Sequence, residues 1–183
     1  MSLYIALLHH PVYNKRGDIV STCITGFDLH DIARSSVTFG VKRYFVVNPL
    51  LAQREFAARI IDFWMDEQGQ EFNWTRAEAF KLISIKADLD EVVEEITRIE
   101  GKKPRIIATS ARPHGTIGYE ALKAEMKNNE KPYLIMLGTG WGMTEELIGK
   151  ADAVLPPILG ENEYNHLSVR SATAIILDRL IGR

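Results

Sequence analysis

The feature that most constrains this chain is where a glycine-rich turn falls in it. Leu134-Ile-Met-Leu-Gly138-Thr-Gly140-Trp-Gly142-Met-Thr-Glu-Glu146 reads as a buried strand that runs into three alternating glycines and then a helix start. In open dinucleotide-binding sheets a turn of this kind follows the first strand, and most of the sheet comes after it. Here only residues 139–183 follow Gly138. They are too few to build the rest of such a sheet, so the turn closes the fold instead of opening it.

The remainder alternates apolar runs with amphipathic stretches. Strands are predicted at Tyr4–Leu8, Tyr44–Val47, Leu82–Ile85, Arg105–Ala108, Tyr133–Leu137 and Ala153–Leu155. Helices are predicted at Leu29–Phe39, with Asp28 as cap and Gly40 as stop, and at Leu51–Met65, with Phe56, Ile60, Phe63 and Trp64 on one stripe. Further helices are expected from Asp88 through Ile99, ended by Gly101, and at Tyr119–Met126, Glu145–Ile148 and Leu167–Ile181. The expected loops are His10–Gly26, Gln68–Arg76 and Ala111–Gly118. Strands separated by helices imply an α/β fold with a mainly parallel sheet and helices on both faces. No linker or repeat divides the chain, which reads as one domain, 1–183.

Composition excludes several classes. Twenty-two basic against 24 acidic residues leave a formal charge of -2, so no broad basic surface marks a nucleic-acid binder. A local basic face would still bind phosphates. The lone Cys23 has no disulfide partner, which fits a reducing, cytoplasmic setting. The apolar start, Met1 to Leu8, reads as a strand and not as a signal peptide. No run approaches the ~20 apolar residues of a membrane span. No HExxH or CxxC pattern suggests a metal.

A ligand at the glycine turn would lie beyond the carboxyl ends of the strands, where the backbone of Gly138, Gly140 and Gly142 can approach it closely. A side chain at Gly140 would then enter the pocket. Thr144 can cap the next helix, with Glu145 and Glu146 in its first turn. Those acids disfavour a phosphate there and suit an uncharged or cationic ligand. A tight turn with no ligand is the plain alternative.

After the turn come Ala153-Val-Leu-Pro-Pro-Ile-Leu-Gly160 and Asn165-His166-Leu167-Ser168-Val169-Arg-Ser171-Ala172, before the terminal helix. This order resembles the SPOUT superfamily of RNA methyltransferases. Asn165-His166 is similar to an element of tRNA guanine-N1 methyltransferases, and Leu-Ser-Val before small residues is similar to ribose methyltransferases. The size and layout also resemble a small bacterial SPOUT family sometimes fused to tRNA guanine-N1 methyltransferase. The stretch from Asp31 through Arg34 to Asn48-Pro49 is similar to the first ribose-methyltransferase motif, with Asp31 where Asn is usual.

The resemblance implies a C-terminal trefoil knot over about 105–183, S-adenosylmethionine as cofactor, tRNA or rRNA as substrate, and a homodimer. It places the cofactor among Thr109, Ser110 and Ala111; Leu137, Gly138, Thr139, Gly140 and Gly142; Leu155, Pro157 and Ile158; and His166, Leu167 and Ser168. Arg34, Asn165 and Ser168 are the catalytic candidates. For Arg34 an ion pair with Asp31 is the alternative, and for Asn165 and Ser168 it is helix capping. Arg112 and His114 could face RNA from their loop, and Lys102, Lys103 and Arg105 form a small basic cluster. The last helix, through Leu167, Ile175, Ile176 and Leu180, could be a subunit contact or core. No residue announces itself as a general base, so base and ribose methylation both stay open. An accessory module without its own activity and a nucleotide-binding α/β protein remain as alternatives.

Overall fold

The computed structural model describes residues 2–113, 115–162 and 164–183. The chain begins with β1 (Ser2–Leu8), then a short hairpin of β2 (Val12–Tyr13) and β3 (Ile19–Val20). Next come α1 (Gly26–Thr38), β4 (Arg43–Val47) and α2 (Leu51–Met65). Two short helices follow, α3 (Glu67–Phe72) and α4 (Trp74–Phe80), before β5 (Ile83–Lys86) and α5 (Leu89–Glu100). The last third holds β6 (Arg105–Ala108), α6 (Tyr119–Asn128), β7 (Pro132–Gly138), α7 (Glu145–Ile148), β8 (Ala153–Val154) and α8 (Val169–Ile181).

Six strands form one parallel sheet in the order β5-β4-β1-β7-β6-β8. The apolar runs are continuous because both faces are covered. Leu3, Ile5 and Leu7 of β1 face a core shared with α1, α2, α4, α6 and α8. Tyr4, Ala6 and Leu8 face the opposite core, under α5 and α7. Helix α1 after β1 and helix α7 after β7 thus leave the sheet on opposite faces. Strands β1 and β7 are neighbours, so the strand order switches between them, which is where open α/β sheets place ligands.

Two expected loops are structured. The stretch Gln68–Arg76 is not a loop: it lies within α3 and α4. Asp66 accepts from Glu67 N to start α3, and Asn73 accepts from Arg76 N to start α4. The aromatic rings of Trp64 and Phe80 lie 6.0 Å apart and hold α4 against α2. His30 of α1 meets Trp64 edge-on at 5.4 Å. Helix α2 therefore turns Trp64 and Ala57 inward and leaves Phe63 51% exposed, splitting the expected stripe. The other loop, His10–Gly26, contains the β2–β3 hairpin.

One cap assignment also changes. Thr25, not Asp28, caps α1: its Oγ1 accepts from Asp28 N (3.2 Å) and donates to the Asp28 carboxylate (2.7 Å). Asp28 is thus the third residue of the helix, with its amide capped by the Thr25 hydroxyl and its carboxylate accepting from it. For α8 the capping alternative holds for Ser168, which accepts from Ser171 N at 3.2 Å, and not for Asn165. The remaining helix signals hold as read: Asp88 accepts from Glu91 N, and Gly101 closes α5 at φ 69°.

Candidate active site

Strands β7, β6 and β8 are adjacent and parallel, so the loops after them emerge at one edge of the sheet. Thr109 is tied to β7 through Met136 O, by its amide (3.2 Å) and its hydroxyl (2.9 Å). Asn165 Nδ2 donates to Ala111 O at 2.9 Å, joining the loop after β6 to the loop after β8. The same two loops meet again lower down. Thr116 N donates to Val154 O at 2.8 Å, and Tyr119 OH to Pro156 O at 3.3 Å. A Cβ at Gly115 would lie 2.9 Å from Pro156, so only glycine fits there. Arg112 Nη1 reaches Glu145 at 3.4 Å and links the first loop to α7. The loops after β6 and β8 therefore meet, and Arg112 ties the first of them to the start of α7. His114 lies outside the described residues.

The side chains divide by depth. Leu137 and Leu155 are fully buried in the core beneath, so only their backbones border the site. Pro157 and Ile158 are half-buried, while His166 and Leu167 are exposed. His166 meets the Tyr164 ring edge-on at 5.4 Å. Ser168 spends its hydroxyl on the α8 cap.

The glycine turn is not uniform. Gly140 has φ 60°, and a Cβ there would lie 2.8 Å from Tyr13 O and 3.4 Å from Thr22 Cγ2. The expectation that a Gly140 side chain enters a ligand pocket is therefore corrected: it would strike the β2–β3 hairpin. Gly142 has φ 101°, and a Cβ there would meet nothing within 4 Å. The hairpin is laid along the turn by Tyr13 N to Gly142 O and Trp141 N to Tyr13 O, both 2.9 Å. The backbone of the turn is thus bonded to the hairpin at Trp141 and Gly142, while the Cβ position of Gly142 stays unobstructed.

Beneath the hairpin lies a buried polar chain that sequence reading missed. His9 Nδ1 is 2.9 Å from Thr22 Oγ1, which meets Thr139 Oγ1, and Thr139 bonds Leu8 O at 3.2 Å. Asn48, also buried, donates to Thr22 O at 3.0 Å. His9 is fully buried, and burial pushes its imidazole down to about 4, so it is neutral near pH 7. Its Nε2 has no partner among the described residues. The only signal in the sequence was a pair of histidines after a strand.

Arg34 is exposed on the outer part of α1. Its alternative reading, an ion pair with Asp31, is not what forms. Asp31 pairs with Arg170 of α8 at 3.8 Å, as does Asp28. In the basic cluster, Arg105 pairs with Glu125 (2.7 Å) and Lys102 with Glu130 (3.9 Å). Ile176 and Leu180 of α8 are core; Leu167 is 44% exposed.

A family of SAM-dependent RNA methyltransferases matches residues 2–182. The chain belongs to that family. An uncharacterized protein of Aquifex aeolicus is 42% identical over the whole chain, which spans 89% of it. A tRNA (guanine-N(1)-)-methyltransferase of Oleidesulfovibrio alaskensis is 38% identical over 99% of the chain, which spans only 42% of that longer protein. The fold is shared with the SpoU methyltransferase AviRb from Streptomyces viridochromogenes, solved with AdoMet. The TM-score is 0.57 at 14% identity, over 99% of this chain and 56% of that one. S-adenosylmethionine is accordingly the family's cofactor. The site's residues suit it: a glycine at Gly142 whose Cβ position is unobstructed, half-buried apolar Pro157 and Ile158 in the loop after β8, and acids, not bases, at the start of α7. Among the described residues no helix is long and apolar enough to cross a membrane.

Proposed function

We propose that this chain methylates a nucleotide of tRNA or rRNA, as a homodimer in the cytoplasm. The observation that carries the reading is the joining of the loops after β6 and β8 through Asn165 and Ala111, with Arg112 tying the first of them to Glu145 just beyond the glycine turn. The cofactor supplies an activated methyl on a sulfonium. Backbone groups of Thr109 to Ala111, Leu137 to Thr139 and Leu155 to Ile158 would hold and orient it, Gly142 would let it approach without a side chain in the way, and Ile158 and Pro157 would exclude water from one side. Gly140 serves this site indirectly, by letting the hairpin dock. Glu145 and Glu146, exposed at the start of α7, provide a local negative field that favours a cationic group.

Arg34 is the candidate for contacting the target nucleotide, since no acidic side chain claims it among the described residues. Asn165 fixes the loop after β8 through Ala111 O and so positions His166 and Leu167 at the rim. A trefoil knot over about 105–183 is part of the proposal, supported by the tight approach of Gly115 to Pro156. The exposed Phe27 and Leu167, at the starts of α1 and α8, support a second copy on that face.

Calorimetric titration tests the reading. Saturable binding of S-adenosylmethionine and S-adenosylhomocysteine, but not ATP, is expected. No binding, or a preference for ATP, would overturn it. Arg34→Ala should leave that affinity within twofold and reduce methyl transfer to unmodified total RNA by about 100-fold, the scale of one positioned catalytic group. Undiminished transfer would remove Arg34 from the site.

A further inference from the structure

The β2–β3 hairpin carries more than a packing role. We propose that its tip and Trp141 form the RNA-docking surface of this protein, with Lys15 and Arg16 on backbone phosphates and the Trp141 indole against an unpaired base. This rests on the reading of the adjacent turn as the cofactor site.

The chain carries a formal charge of -2, so phosphate binding must come from a few basic groups that acids do not neutralise. Most of those near the site are engaged. Arg112 faces Glu145, and Arg170 faces Asp28 and Asp31. Among the described residues Lys15 and Arg16 have no acidic side chain within ion-pair distance, and both are exposed. The one acid on the hairpin, Asp18, accepts from Asn14 Nδ2 at 3.0 Å instead.

Local structure holds the two bases outward. Asn14 Oδ1 accepts from Arg16 N (2.7 Å) and Asp18 N (3.0 Å), and Gly17 takes φ 85°. Lys15 and Arg16 are left at the corner of this turn. The hairpin is fixed to the glycine turn by Tyr13–Gly142 and Trp141–Tyr13 hydrogen bonds, by Thr144 N to Pro11 O at 3.2 Å, and by a Val12–Met143 bridge. The basic tip and the cofactor turn therefore move as one unit.

Trp141 stands between two positive-φ glycines and is 58% exposed. An indole presented this way is a stacking platform, and sequence-specific RNA recognition mostly targets unstacked bases that stack on aromatic side chains. Cations for phosphate and an aromatic face for a base, on one rigid support beside the methyl donor's loops, fit single-stranded RNA better than a protein partner.

The test uses the full chain with two probes: a fluorescein-labelled 12-nucleotide single-stranded RNA of mixed sequence, and an unmodified tRNA transcript. Anisotropy titrations are run across salt, with S-adenosylmethionine calorimetry on the same samples. Lys15→Ala with Arg16→Ala should weaken RNA binding at least tenfold and lower the salt slope by about 1.4, at ~0.7 per single-strand phosphate. Its cofactor affinity should stay within twofold. Trp141→Ala should weaken binding at least fivefold with an unchanged slope, and Trp141→Phe should recover most of it. RNA binding within twofold of the parent in every variant overturns the proposal, as does a parent that binds cofactor but neither RNA. A parent that binds RNA through the tip but no cofactor would overturn the proposed function and leave this surface standing.

Discussion

Gly140 and Gly142 lie in one turn, separated by a single residue, yet they border two different regions. On the Gly140 side the backbone of Tyr13 presses so close that any side chain would collide. On the Gly142 side there is open space. Both have positive φ, so both look alike in a sequence pattern. The first glycine builds the protein's own structure, and the second leaves room for something else. A glycine-rich motif thus mixes two physical causes that only the neighbours separate.

The comparison can be broken most forcefully at Gly140. Gly140→Val adds a β-branched side chain at φ 60° against Tyr13 O and Thr22. Strain and overpacking together should cost about 4 kcal/mol. Denaturant unfolding is the check; a loss below about 1 kcal/mol would mean that the hairpin yields easily and that the two sides of the turn do not differ.

Acid should act on the same side. The imidazole of His9 is pushed down to about 4 when folded, from 6.5 when free. A base whose proton is held more weakly in the folded state favours unfolding once it is protonated. No penalty applies above pH 6.5, and it grows as pH falls towards 4, reaching about 3 kcal/mol. His9→Asn, which can still reach Thr22, should flatten this slope between pH 6.5 and 4. An unchanged slope would show that another group carries it.

The smallest effect on stability belongs to Gly142. Gly142→Ala meets no neighbour, so only its φ of 101° opposes it, at about 1 kcal/mol. Its effect on S-adenosylmethionine affinity should exceed its effect on folding, with at least tenfold weaker binding in calorimetry. Equal losses in the two measurements would erase the distinction between the glycines.

Elements governed by nearby residues were legible in the sequence. Helix α5 shows why: its cap Asp88, its apolar spacing through Leu89, Val92 and Ile96, and its stop Gly101 all lie within a few turns of one another. The parallel sheet followed from strand-helix alternation. The stretch Gln68–Arg76 was misread because its polar residues are helix caps, and polar caps resemble loop composition. The polar chain from His9 through Thr22 to Thr139 left almost no trace, because a threonine's buried partner cannot be read from its own neighbours.

By itself, the sequence determined the periodic elements, the fold class and the late position of the glycine turn. Those depend on short-range spacing and on the order of pieces along the chain. Only the tertiary structure decided that the hairpin lies against Gly140, that Gly142 faces open space, and that Asp31 pairs with Arg170 and not with Arg34. The first and the last of these join residues from opposite ends of the chain. Such contacts form only when the strand order brings β1 beside β7 and α1 beside α8.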